Sequence, residues 1–160
     1  MGVSGCGKSS VGASLASRFP VRFIDGDDLH PPRSIEKMAS GQPLDDDDRA
    51  PWLTEIGKTL ARADRPVLIG CSSLKRKYRD SIREHAGVDV RFIHLHADKS
   101  VLAERVNERE GHFMPPSLLD SQFAALEMLN EDELGCVVDI SMPYAQVVAE
   151  SESYLKETMT

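Results

Sequence analysis

Short apolar runs alternate along the chain with segments of helical periodicity. Four runs, at residues 21–24, 66–71, 90–96 and 136–140, are almost continuously apolar and rich in β-branched residues. This pattern is typical of strands buried on both faces of a parallel sheet. Apolar residues repeat every three or four positions between the runs, which predicts helices at 8–18, 51–63, 74–85, 99–109, 116–129 and 143–156. The alternation predicts a three-layer α/β fold with a parallel sheet and right-handed crossovers.

The bulk composition fits one globular domain spanning residues 1–160. Charged residues make up 28% and apolar residues 41%, and the formal net charge is −7. Such an acidic chain lacks the basic face of a nucleic-acid-binding protein. No apolar run reaches the length of a membrane helix, the first residues read as a polar glycine-rich loop and not as a signal peptide, and the three cysteines are widely spaced. We therefore expect a cytoplasmic protein that binds neither nucleic acid nor membrane.

A phosphate-binding loop opens the sequence. "GVSGCGKS" fits the pattern G-x-x-x-x-G-K-[ST], in which backbone N–H groups surround a phosphate, a lysine reaches the β- and γ-phosphates, and a hydroxyl ligates Mg²⁺. The alternative is a glycine turn that only caps the following helix. We expect ATP binding by Gly2, Val3, Ser4, Gly5, Cys6, Gly7, Lys8, Ser9 and Ser10.

Two aspartates follow the first predicted strand. Asp25 and Asp27 alternate with Gly26, which places both carboxylates at the carboxyl end of the strand, where ligands bind in open parallel sheets. Asp25 would hold Mg²⁺ together with Ser9, and Asp27 would accept the proton of an attacking hydroxyl. A polar turn with an aspartate cap is the alternative. The next four aspartates, 45–48, are most simply a solvated helix start.

The chain resembles the small phosphate-loop gluconokinases over nearly its whole length. The likeness is carried by the loop and by three segments, "DGDDLHPPRSIEKMASGQPLDDDDRAPWL", "CSSLKRKYRDSIR" and "REGHFMPPSLLDSQFAALE". The segment 25–53, which begins with "DGDD", is the most specific of them and more specific than the loop. It implies ATP- and Mg²⁺-dependent phosphorylation of D-gluconate to 6-phospho-D-gluconate. It also implies a fold similar to nucleoside monophosphate kinases and shikimate kinase, a helical lid near 105–122 and a homodimer. Ser34 stands where the family usually has Asn.

Basic residues complete the predicted site. Lys75 and Arg79 share one face of the predicted helix 74–85 and, given the resemblance, would bind the carboxylate of the substrate; a solvated helix face is the alternative. Arg105 and Arg109 on the lid would stabilise charge on the phosphoryl group with Lys8, and surface arginines are the alternative. The remaining substrate-binding candidates, each with a structural alternative, are His30 and Arg49.

The loop stands almost at the first residue, whereas the family carries a strand before it. Without that strand, two neighbouring strands would lack their partner, and buried backbone groups would stay unpaired at about 1–3 kcal/mol each. We therefore expect the natural chain to begin upstream of Met1. The rival functions are a kinase for another sugar acid or a shikimate-like substrate, and an ATP-binding protein without catalysis.

Overall fold

The computed structural model describes residues 1–107 and 116–159. Every predicted strand is present, and the strands of this described part are β1 Arg22–Asp25, β2 Val67–Gly70, β3 Phe92–His96 and β4 Gly135–Asp139. The helices are α1 Lys8–Ala16, α2 Pro32–Ala39, α3 Asp46–Ala61, α4 Arg76–Ala86, α5 Lys99–Asn107, α6 Pro116–Ala125 and α7 Tyr144–Thr158, with a 3-10 turn at Gly26–Leu29. None of the helices in these two ranges combines the length and apolar character needed to cross a bilayer.

Helix α3 begins earlier than its apolar periodicity predicts. Asp45 accepts a hydrogen bond from the Asp48 N–H (2.8 Å), and Asp48 accepts one from the Asp45 N–H (3.0 Å). This capping box starts the helix at Asp46, inside the predicted acidic turn, so that Pro51 lies within the helix and not at its start. Helix α2 was not predicted, although Pro32 at its first position is a common start signal.

The strands pair in parallel as β1 with β2 and β3 with β4. Helices cover both faces of the two sheets. Residues of α1, α5, α6 and α7 form one apolar core with β4, whereas α3 and α4 form a second core that includes Trp52, Ile56, Tyr78 and Ile82. The three-layer α/β prediction is therefore confirmed.

A gap separates β2 from β3, and Met1 lies at one end of it. The Met1 N–H groups donate to Ile93 O, and Leu95 N–H donates to Met1 O at 2.9 Å, which is the hydrogen-bond pattern between neighbouring parallel strands. On the other side, Gly2 N–H donates to Ser72 O at 3.2 Å. A cavity of about 710 Å³, lined by residues of β2 and β3, extends beyond these hydrogen bonds. Because β2 borders the cavity, its residues are half-buried, not fully buried as the sequence predicts.

Candidate active site

The phosphate loop lies at the carboxyl edge of the strands. Gly7 precedes α1 with a φ of 94°, a left-handed conformation that glycine adopts without strain. Gly2 packs so closely that a Cβ there would lie 2.5 Å from Leu95 O. The Lys8 Nζ folds back over the loop and donates to Gly2 O (3.1 Å) and Val3 O (3.0 Å). The loop is therefore tightly built, and its lysine rests on main-chain carbonyls.

The structure brings Ser9 and Asp25 together, as the sequence predicts. The Ser9 hydroxyl donates to Asp25 Oδ2 at 2.8 Å, and the Asp27 N–H donates to Asp25 Oδ1 at 3.1 Å. The second bond fixes the turn that carries Asp27, whose side chain is 86% exposed. Hydroxyl and carboxylate oxygens are the ligands that Mg²⁺ prefers. A hydroxyl–carboxylate pair that could hold a metal and an accessible carboxylate thus lie side by side next to the phosphate loop.

His30 is held against Trp52. The two rings stack with centroids 4.2 Å apart and planes 11° apart, and Trp52 Nε1–H donates to Gly26 O at 2.7 Å. His30 Nε2 lies 4.0 Å from Asp27 Oδ1. Burial lowers the pKa of His30 from its ordinary value, so the ring is neutral near pH 7. Trp52, which sequence reasoning assigns to the core, therefore also fixes the turn that carries Asp27.

A cluster of cations surrounds Tyr78. Arg49, Lys75 and Lys77 place their charged groups 5.7, 5.5 and 5.9 Å from the centre of its ring. Asp46, in the first turn of α3, accepts hydrogen bonds from Lys77 Nζ, Tyr78 Oη–H and, at 3.4 Å, Lys75 Nζ. We call Asp46, Arg49, Lys75, Lys77 and Tyr78 the Tyr78 cluster.

Arg79 does not lie where the sequence predicts. Its residue is 0% exposed, and its guanidinium donates to both carboxylate oxygens of Glu133 at 2.7 Å. Its remaining N–H groups donate to the carbonyls of residues 73, 74, 127 and 128. All of its donors are used inside the protein. Arg79 therefore fastens the 127–133 segment to α4 in this structure and does not face substrate.

The lid residues are placed only in part. Arg105 donates to Ile140 O, just past β4, so it lies at the carboxyl edge of the strands. Arg109 and His112 lie outside the described residues. Gln122 of α6 accepts from the Ser4 N–H at 2.6 Å and donates to Ser4 Oγ at 2.9 Å. Helix α6 is thereby tied to the phosphate loop.

Sequence reasoning missed several of these contacts. Ser34 is buried and donates to Asp48 O at 3.4 Å, so its hydroxyl is used inside the protein. No sequence signal singles out Tyr78, and Asp46 belongs to the acidic run 45–48, for which the sequence predicts only a solvated helix start. The residues that act through partners remote in sequence are therefore the ones that the motifs do not reveal.

Comparisons with known proteins agree with this geometry. A family model described as "AAA domain" matches residues 1–129. The thermoresistant gluconokinase of Escherichia coli is 44% identical over 161 residues, which cover 98% of this chain and 91% of that protein. The gluconokinase of Gluconobacter oxydans is 47% identical over 136 residues, covering 83% and 76%.

A solved structure shows the same likeness. The crystal structure of a gluconokinase from Sinorhizobium meliloti matches with a TM-score of 0.87 at 48% identity, covering 99% of this chain and 90% of that one. The match covers nearly the whole chain. Together with the α/β phosphate-loop fold, these matches show that the chain belongs to the gluconokinase family.

Proposed function

We propose that this protein transfers the γ-phosphoryl group of ATP to D-gluconate and forms 6-phospho-D-gluconate. The observation that carries the proposal is the contact of Ser9 with Asp25 beside the exposed Asp27, at the phosphate loop of a chain similar to gluconokinases. The arrangement supplies, in one place, residues for the phosphates, for a metal and for a hydroxyl acceptor.

Ser9 and Asp25 are the residues that would hold Mg²⁺. Their side-chain oxygens already lie 2.8 Å from each other, and both belong to the oxygen type that this ion prefers. When bound, Mg²⁺ neutralises charge on the phosphoryl groups of ATP. The backbone N–H groups of the loop and the Lys8 ammonium provide the remaining contacts to the phosphates.

Asp27 is the proposed base. Its carboxylate is exposed at the mouth of the loop, where it orients the 6-hydroxyl of gluconate and accepts its proton as the phosphoryl group is transferred. Lys8, Arg105 and Arg109 stabilise the negative charge that spreads over the phosphoryl oxygens. Closure of the lid excludes water, so that gluconate is phosphorylated and ATP is not hydrolysed.

The acceptor is bound by His30, which lies beside Asp27, and by residues of the Tyr78 cluster. His30 and Arg49 contact the hydroxyl groups, and Lys75 contributes charge for the carboxylate. His30 is suited to this because it is neutral and held by Trp52, so it can exchange hydrogen bonds with a sugar hydroxyl without a charge penalty. Arg79 is not part of this set because its donors are satisfied by Glu133 and main-chain carbonyls.

The test is release of ADP from ATP and Mg²⁺ with and without D-gluconate, with shikimate and glucose as control acceptors. We expect release that depends on gluconate and is abolished by Lys8→Met. Release that depends on shikimate or another acid, but not on gluconate, would show that the protein is a kinase for a different acceptor. ATP binding without release in any mixture would support a nucleotide-binding protein without catalysis.

A homodimer, which the family resemblance implies, and a cytoplasmic location, which the composition of the chain favours, remain predictions. Sedimentation equilibrium of the purified chain tests the first, because one and two copies of a 17.7 kDa chain are readily separated by mass. Fractionation of the native host tests the second.

A further inference from the structure

The Tyr78 cluster carries more positive charge than its single carboxylate neutralises. Arg49, Lys75 and Lys77 contribute three charges and Asp46 removes one, so the cluster keeps two positive charges in a protein of net charge −7. Within the described residues, Arg49 pairs with no carboxylate; its guanidinium lies 3.5 Å from the Tyr78 hydroxyl. The excess charge makes this place attractive to an anion.

Asp46 concentrates the donors of the cluster on one carboxylate. The ammonium groups of Lys75 and Lys77 and the hydroxyl of Tyr78 all point at its two oxygens. The hydrogen bonds from Lys77 and Tyr78 hold the pKa of Asp46 well below its usual range, so it is ionised. Its side chain is nevertheless 43% exposed, which leaves the donors open to solvent and to a competing anion.

We propose that Asp46 occupies the place of the substrate's carboxylate, and that an incoming sugar acid takes over its donors. This inference rests on the proposed function and extends it by locating the acid-binding end of the site. Replacing one carboxylate by another conserves the charge-assisted hydrogen bonds of the cluster, whereas a neutral hydroxyl would leave ammonium groups poorly paired. Asp46 therefore selects acids over neutral sugars.

The position of the cluster fits this role. Arg49 belongs to it through Tyr78 and is also close enough to His30 for its charge to lower the pKa of that ring. His30 in turn adjoins Asp27. The cluster is thus linked through Arg49 and His30 to the proposed base.

The decisive experiment compares Asp46→Asn with the matched control Asp47→Asn. Both remove one negative charge from the first turn of α3, but Asp47 is exposed and has no contact with the cluster among the described residues. We expect Asp46→Asn to lower the KM for gluconate about three- to tenfold, a size typical of one competing exposed ion pair. The kcat and the KM for ATP should stay within twofold, and Asp47→Asn should match the wild type.

Gluconamide provides the matched substrate. It carries a neutral amide in place of the carboxylate, so Asp46→Asn should change its KM less than twofold. A gluconate KM that is unchanged or raised in Asp46→Asn would overturn the proposal and make Asp46 a permanent clamp between α3 and α4. An equal decrease for gluconate and gluconamide would also overturn it, because the competition would then not concern the carboxylate.

A second variant covers the case in which Asp46→Asn folds poorly. Lys77→Gln removes a donor on the exposed rim and should weaken gluconate binding about threefold or more, as measured by calorimetry without ATP. Unchanged affinity would contradict the proposal. Because calorimetry reports binding alone, gluconate that binds but is not phosphorylated would refute the proposed reaction and leave the acid-binding site standing.

Discussion

Ser9 and Asp25 join the phosphate loop to the first strand through one hydrogen bond of 2.8 Å between the serine hydroxyl and the aspartate carboxylate. The two residues are 16 positions apart in sequence, and neither side chain is held in a core. The bond therefore reports how the loop and β1 are aligned. It also means that the residues proposed to bind the metal are poised before the metal arrives, which lowers the cost of ordering them.

Asp25→Asn should weaken the use of Mg²⁺. The amide keeps the size of the side chain and can still accept from Ser9, but it lacks the charge that attracts the cation. We expect the Mg²⁺ concentration at half-maximal turnover to rise about tenfold or more. A titration of turnover against Mg²⁺ measures this, with Asp28→Asn as the charge-matched control. Equal effects of the two variants would speak against a metal-binding role.

Asp27→Asn should lower kcat about 10²- to 10⁴-fold, because the amide cannot accept the proton of the attacking hydroxyl. The affinity for ATP should change less than twofold, since the Asp27 N–H donates to Asp25, at the end of β1, and not to the phosphate loop. Steady-state kinetics with each substrate varied separates the two quantities. Similar losses in kcat and in ATP affinity would refute the role of base.

Glu133→Gln should destabilise the fold without changing substrate affinity. The substitution leaves the buried Arg79 charge without its carboxylate, which costs about 3–5 kcal/mol of unfolding free energy. Asp132→Asn is the matched control, because Asp132 pairs with Arg76 at the surface and its loss should cost less than about 1 kcal/mol. Urea unfolding measures both. A raised KM for gluconate in folded Glu133→Gln would indicate that Arg79 contributes to substrate binding.

The Arg79–Glu133 pair also makes the stability of the fold depend on pH. The hydrogen bonds from Arg79 hold the pKa of Glu133 at about 2, below its ordinary value of 4.5. A carboxyl with a lowered pKa in the folded state stabilises the fold above pH 4.5, and this contribution is lost as the pH falls toward 2. Glu133→Gln should remove that part of the acid dependence.

His94→Leu should reduce the pH dependence of fold stability between pH 6.5 and about 3. The ring is fully buried, neither nitrogen has a hydrogen-bond partner among the described residues, and burial lowers its pKa to about 3. The unfolded chain takes up a proton below pH 6.5 whereas the folded chain does not, so stability falls as the pH drops from 6.5 to about 3. Melting temperatures between pH 4 and 8 measure this. A variant with the same slope as the wild type would contradict it.

Trp52→Phe should slow catalysis while leaving nucleotide binding intact. Phenylalanine keeps a ring against His30 but cannot donate to Gly26 O, so the buried hydrogen bond that holds the turn is lost. We expect kcat to fall about tenfold and unfolding free energy by about 1–3 kcal/mol, with the KM for ATP unchanged. If kcat stays at the wild-type value in a destabilised variant, Trp52 is a core residue only.

The phosphate loop and the Asp25–Asp27 turn could be predicted because local motifs and one topological rule suffice. The loop has a fixed spacing, and the carboxyl ends of parallel strands meet at one edge, so Ser9 and Asp25 had to be close. The strands could be located because short, nearly continuous apolar runs rich in β-branched residues are typical of strands in a parallel sheet.

Arg79 and Trp52 could not be placed by these rules. Spacing by four puts Lys75 and Arg79 on one helix face, but it does not say that the segment 127–133 covers part of that face. The partner of Arg79, Glu133, is 54 residues away in sequence. Trp52 satisfies the periodicity of a core residue, and only the folded chain shows that its ring nitrogen holds Gly26. The sequence pattern does not reveal a side chain's second role when the partner is distant in sequence.

Helix α3 sets the distance between the two ends of the proposed substrate site. It carries Asp46 at the proposed acid end, and Trp52, which fixes the Gly26–His30 turn at the proposed hydroxyl end. Six residues of helix, or about 9 Å, separate Asp46 from Trp52, and a helix neither stretches nor shortens appreciably. The two ends of the proposed site are therefore at a set spacing, which predicts that the protein discriminates among sugar acids by the length of their carbon chain.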